Sequence, residues 1–146
     1  MQELHGFYLE DLSIGQSASY AKTITEADVV LFAGISGDDN PVHINAEYAA
    51  ETMFKDRIVH GMFSAALISA VLGTRMPGPG AIYIDQQIGF KAPVYIGDTV
   101  TATATVTDIN QERRRVTLET TCSVKGKVVA QGVATNMVDR RPVEGK

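Results

Sequence analysis

Cysteine is nearly missing from this sequence: there is one, Cys122, in 146 residues. A single thiol excludes an internal disulfide and leaves no thiolate cluster for zinc. Cys122 alternates with Val116, Leu118 and Val124 in a strand-like run, which predicts a buried, inert side chain. Positive charge is scarce too. Thirteen Lys and Arg face 17 Asp and Glu, for a formal net charge of −4. A general nucleic-acid binder would show a basic face, so no nucleic-acid partner is expected. The one basic run, Arg113-Arg114-Arg115, is short, lies between two strand-like segments and reads as a solvated hairpin end. There is no long hydrophobic run. The longest uncharged stretch, 58–74, is short for a bilayer span and contains His60, Ser64 and Ser69, so a buried helix is predicted and no membrane partner. The opening residues, "MQELHGFYLEDL", are acidic without an apolar core, so no secretory signal is read and a cytoplasmic location is expected. Repeats, low-complexity tracts and linkers are absent, which predicts one domain over 1–146 with a core from about 10 to 138.

What is present is strongly patterned. Residues 16–23 read as a first strand. Thr25 then stands as an N-cap with Asp28 three residues on, in a capping-box arrangement. Val29, Val30, Phe32, Ala33 and Ile35 supply the apolar face of a helix ending near Gly37. Pro41 lacks an amide hydrogen and restricts Asn40 away from helix, so the helix cannot continue. A short helical piece, "AEYAAETMF", follows. From Gly61 through Gly73 no side chain is charged and apolar residues occupy every side, which predicts a helix buried all round. The period then changes to two. Val100, Ala102, Ala104 and Val106 point one way, and Thr99, Thr101, Thr103 and Thr105 the other. The alternation returns in 116–124, and Lys125-Gly126-Lys127 is a tight turn into 128–138. Residues 81–90 form a further strand, closed off by Pro93. One enclosed helix and four β-segments without helices between them imply an α+β fold, an antiparallel sheet curled round that helix. Its edge strands need pairing, and two sheets joined edge to edge in a dimer are an economical solution.

Two stretches could carry chemistry. In "GDDNPVHIN", Asp38 and His43 flank a proline that stiffens the loop, so carboxylate and imidazole could face one small space and hold a water between them. Histidine suits that task because its charge changes near neutral pH. Aspartate and asparagine are equally ordinary turn formers after a helix, and spacing alone leaves both readings open. In "IVHGMFSAAL", Gly61 begins the apolar helix, where the free amides of the first turn must point at something. A glycine there lets a ligand approach closely, and a carbonyl oxygen gaining negative charge would be stabilised. The same glycine could merely let the helix pack on the sheet. His60, just before it, reads as a structural hydrogen-bonding residue.

Together the D-x-N-P-x-H element, Asp38-Asp39-Asn40-Pro41-Val42-His43, and the following Ile58-Val59-His60-Gly61-Met62 resemble the MaoC-like hydratases. Within that group the chain is most similar to the R-specific enoyl-CoA hydratases. The likeness continues through "PGPGAIYIDQQIGFKAPVYIGDTV" and runs from "LEDLSIGQ" to about Val138. The resemblance implies a hot-dog fold, in which an antiparallel sheet wraps one long helix, and a homodimer. It implies reversible syn hydration of a trans-2-enoyl-CoA to the (R)-3-hydroxyacyl-CoA, with no metal or organic cofactor and an acyl-CoA thioester as partner. Short-chain substrates such as crotonyl-CoA are expected. Carried over residue by residue, Asp38 and His43 become the acid/base pair and the Gly61 amide the donor to the thioester oxygen. Asn40 supports the pair, Ser69 is a polar residue beside it, and Leu72 falls where acyl length is tuned. Asp39 departs from the family pattern by adding a second carboxylate; the spacing from Asn40 selects Asp38. A second reading keeps the fold, an acyl-CoA thioesterase whose carboxylate directs water at the thioester carbonyl; a third, from another class, is a non-catalytic acyl-binding subunit or regulator.

Overall fold

The computed structural model describes residues 1–144, so the last two residues of the expected 1–146 domain lie outside the described residues. In chain order the regular elements are β1 (Ser17–Thr23), α1 (Glu26–Ser36), α2 (Pro41–Ile44), α3 (Ala46–Ala50), α4 (Gly61–Thr74), β2 (Ile82–Phe90), β3 (Thr99–Asn110), β4 (Arg115–Val124) and β5 (Lys127–Met137). The strands form one sheet in the order β1-β3-β4-β5-β2, and every neighbouring pair is antiparallel.

The two-residue alternation becomes a two-faced sheet. Val100, Ala102, Ala104 and Val106 of β3 are buried, as are Val116, Leu118 and Cys122 of β4 and Ala130 and Ala134 of β5. The threonines between them face outward, where Thr99 pairs with Thr23 (2.7 Å) and Thr103 with Ser19 (2.8 Å) across the β1–β3 ladder. Alanines on the inner face leave room for α4 to lodge in the hollow of the sheet. It does so through Ser64, Leu67, Ile68, Val71 and Leu72, the i, i+3, i+4, i+7, i+8 stripe of one helix face. This is the hot-dog arrangement.

One expectation needs correction. The helix is not buried all round within a single chain: Met62 is 59% exposed, and Ala66, Ser69 and Gly73 on the same side are exposed as well. Small residues dominate that face, and composition alone cannot distinguish a face covered by the chain's own sheet from one left open.

Cys122 is fully buried, its Sγ 3.5 Å from the Ser64 carbonyl, and burial pushes its thiol pKa up to about 11. A thiol reagent at pH 8 should therefore leave the native protein unmodified and titrate one thiol after unfolding. Rapid reaction of the native chain would contradict this environment. The arginine run sits at the β3–β4 turn, with Arg114 in the left-handed region (φ 55) and 3.2 Å from Asp139.

Candidate active site

The turn carrying Asp38 and His43 is assembled by local hydrogen bonds that its residue types dictate. α1 opens on the expected capping box: the Thr25 amide donates to Asp28 (2.9 Å) and the Asp28 amide to the Thr25 hydroxyl (3.2 Å). The Thr25 amide is the main cause holding the Asp28 carboxyl below its ordinary range, with Lys22 adding to it. The helix ends at Gly37, whose left-handed backbone (φ 78) suits glycine and turns the chain. The Asn40 amide donates to Asp38 Oδ1 (3.3 Å), and the Val42 amide to Asn40 Oδ1 (3.1 Å). Asn40 thus caps α2 and Pro41 takes its first position, where a missing amide hydrogen costs nothing.

This turn aims His43 back at Asp38. Its Nδ1 lies 2.7 Å from the Ile58 carbonyl, which can only accept, so Nδ1 carries the hydrogen and the neutral ring is left with a bare Nε2. That Nε2 stands 4.0 Å from Asp38 Oδ2, too far for a direct hydrogen bond. A water about 2.8 Å from each atom would close the gap at roughly a right angle, near its natural hydrogen-bonding angle. The adjacent carboxylates are both exposed and are told apart by position: Asp38 stands across the gap from His43, whereas the Asp39 amide donates to the Gly37 carbonyl.

His60 completes the cluster. It is 2% exposed, its Nε2 lies 2.8 Å from the Asp38 carbonyl, and its ring stacks on His43 at 3.8 Å between centroids. Gly61 follows as the first residue of α4, and its amide has no acceptor among the described residues. A cavity of about 540 Å3 is walled by Asp38, His60, Gly61 and Ser64 together with apolar Met53, Phe54, Met62 and Phe90. That is the size of a small-molecule site, largely apolar with a few convergent polar groups. His43 is not part of this wall; it sits one layer back, against His60 and across the gap from Asp38. A Cβ at Gly61 would lie 2.9–3.2 Å from the Phe90 ring, which would have to shift to admit it.

Asp38, His43 and His60 offer ligand atoms within 4.8 Å of one another. The two rings are inclined by only 25°, however, so their nitrogens run side by side instead of converging on one ion, and His60 Nε2 is already engaged. A water fits this arrangement better than a tetrahedral metal.

Of the other residues singled out from sequence, Ser69 lies two turns along α4 on its exposed face, away from the cavity wall, and Leu72 is enclosed in the core. The serine that does reach the cavity is Ser64. Sequence reasoning also missed Arg57. Its Nε donates to the His43 carbonyl (2.6 Å) and its Nη1 to both oxygens of Glu26 (2.7 and 2.8 Å), tying the turn to the start of α1. No motif marks it, since the contact spans unrelated loops.

A family model described as a MaoC like domain matches residues 12–133. The chain belongs to the MaoC-like domain family. This MaoC-like domain is 63% identical over 134 residues to the (R)-specific enoyl-CoA hydratase of Rhodospirillum rubrum, covering 92% of this chain and 93% of that protein. It is 49% identical over 141 residues to the 3-hydroxybutyryl-CoA dehydratase of Methylorubrum extorquens, covering 97% and 90%. Among solved structures, the unliganded R-hydratase PhaJ1 of Pseudomonas aeruginosa superposes with a TM-score of 0.89 at 43% identity, covering 93% of this chain and 88% of that one. The (R)-hydratase of A. caviae involved in PHA biosynthesis gives 0.86 at 39%, covering 88% and 98%. Among the described residues, no helix of this MaoC-like domain is long and apolar enough to cross a membrane.

Proposed function

We propose that this chain reversibly adds water to trans-2-enoyl-CoA thioesters to give (R)-3-hydroxyacyl-CoA, with short-chain substrates such as crotonyl-CoA. The observation that carries the reading is the 4.0 Å gap between His43 Nε2 and Asp38 Oδ2, beside a cavity that also contains the free Gly61 amide. The relatives named as hydratase and dehydratase support the same reaction in its two directions.

In this mechanism the enoyl thioester enters with its carbonyl oxygen at the Gly61 amide. Asp38 as carboxylate and His43 as neutral imidazole are both acceptors, so a water between them donates one hydrogen to each and turns a lone pair toward C3. As the C3–O bond forms, one water proton passes to the pair and the pair delivers a proton to C2 from the same face. Oxygen and hydrogen add across one side of the double bond, and the pair ends as it began. The Gly61 amide, at the positive end of α4, holds the enolate-like charge that builds on the thioester oxygen. The test is direct: purified protein should remove the enoyl absorbance of crotonyl-CoA without releasing thiol. Release of free CoA thiol in place of hydration would mean a thioesterase and overturn the reading; acyl-CoA binding without turnover would mean a binding subunit.

The working form in this reading is a homodimer. β2 is an edge strand, yet its Ile84 is 45% and its Phe90 52% exposed, and the small-residue face of α4 is uncovered as well. Pairing two copies along this edge would cover both surfaces and enclose Ser69. Light scattering should give twice the chain mass, and Ile84→Lys should give monomers. A wild-type monomer at micromolar concentration would refute the dimer.

A further inference from the structure

One side chain touches every part of the site without taking part in the chemistry just described. His60 hydrogen-bonds the backbone of Asp38, lies face to face with the His43 ring, and is joined through its own peptide bond to Gly61. Its far side is held by Phe32 of α1, whose ring centroid is 4.9 Å away at a 55° tilt. The backbone of His60 is extended (φ −54, ψ 133) as the residue preceding α4, so its ring position is set by the helix start.

We propose that His60 is a positioning residue that sets the water-sized gap between Asp38 and His43 and fixes that gap relative to the Gly61 amide. This rests on the hydratase reading above. The Asp38 carbonyl can only accept, so His60 Nε2 carries the hydrogen that meets it. Its Nδ1 is then bare, enclosed and without a hydrogen-bond partner among the described residues. An atom so enclosed cannot reach a substrate, which separates a positioning role from a catalytic one. The stacked ring blocks His43 from swinging toward the cavity, and the Nε2–H bond stops Asp38 from moving outward, although its carboxylate is more than half exposed. Without His60 both members of the pair have room to drift. A misplacement of about 1 Å costs on the order of 10²-fold in rate.

The test is a set of variants assayed on crotonyl-CoA. His60→Phe keeps the stacking and removes the hydrogen bond; it should lower kcat about 10²-fold while leaving KM within about twofold. His60→Gln restores a donor at the Nε2 position and should recover about tenfold of that loss. In a His43→Gln background, His60→Phe should cost less than about threefold, because residues acting as a unit are not additive. Near-wild-type kcat in His60→Phe, a loss confined to KM, or an undiminished loss in the His43→Gln background would each overturn the proposal. Circular dichroism checks folding; if His60→Phe fails to fold, His60→Gln with and without His43→Gln gives the same comparison. A wild-type chain that does not hydrate crotonyl-CoA overturns the functional reading itself, whereas an active wild type with unaffected His60 variants sinks only this inference.

Discussion

Asp38→Asn and His43→Gln should each reduce kcat on crotonyl-CoA by about 10²–10⁴-fold, the usual worth of a positioned acid or base. In barrier terms this is about 3–5 kcal/mol. Asparagine preserves the shape of the carboxylate but cannot take a proton from the bridging water. Glutamine places an amide near Nε2, where a hydrogen donor would face the water instead of an acceptor. Because the two groups share one water, the double variant should be no worse than the poorer single one. Folding should survive: the Asp38 carboxylate is largely exposed, and the local turn is held mainly by the Asn40 cap and backbone bonds. Enoyl-absorbance kinetics give the rates, and a thermal midpoint within a few degrees of wild type shows that the loss is chemical. Near-full activity in either variant removes that residue from the mechanism.

The second large effect is expected at Gly61, where amide and side chain can be separated. Proline is tolerated at the first position of a helix, and the extended backbone of His60 (ψ 133) is what a residue before proline adopts. Gly61→Pro therefore deletes the amide hydrogen without breaking α4. It also adds a Cβ against Phe90, as Gly61→Ala does. The alanine variant carries that steric cost alone, softened because Phe90 is an exposed ring at the end of β2 and can swing aside. The proline variant should fall a further 10²–10³-fold or so below alanine, the loss typical of one oxyanion donor. Equal activities for alanine and proline would mean that the thioester oxygen is held elsewhere.

Much of this was legible in the chain itself. The capping box at Thr25 and Asp28, the stop at Gly37, and Asn40-Pro41 opening a helical turn are local devices. Their hydrogen bonds join residues two to four apart, so residue type nearly decides them. The two-residue period of β3 and β4 likewise announced a sheet with one buried face, because alternation converts directly into sidedness. Contacts between distant loops were not legible. Arg57 bonds Glu26 across 31 residues, and Ile58 receives His43 across 15, with nothing in either spacing to suggest it. Ser64 and Ser69 occupy one helix five residues apart, and only packing against the sheet shows that Ser64 turns toward the cavity.

Sequence alone determined the parts: an apolar helix, an antiparallel sheet, a rigid turn presenting carboxylate and imidazole, and a glycine at a helix start. Each follows from short-range sterics and hydrogen bonding that operate before the chain is folded. Tertiary structure decided which face of α4 is left open, that Ser64 and not Ser69 reaches the cavity, and that His60 comes to rest against both Asp38 and His43. Those outcomes depend on where separate elements come to rest against one another, and a distance between side chains many residues apart is a property of the packed whole.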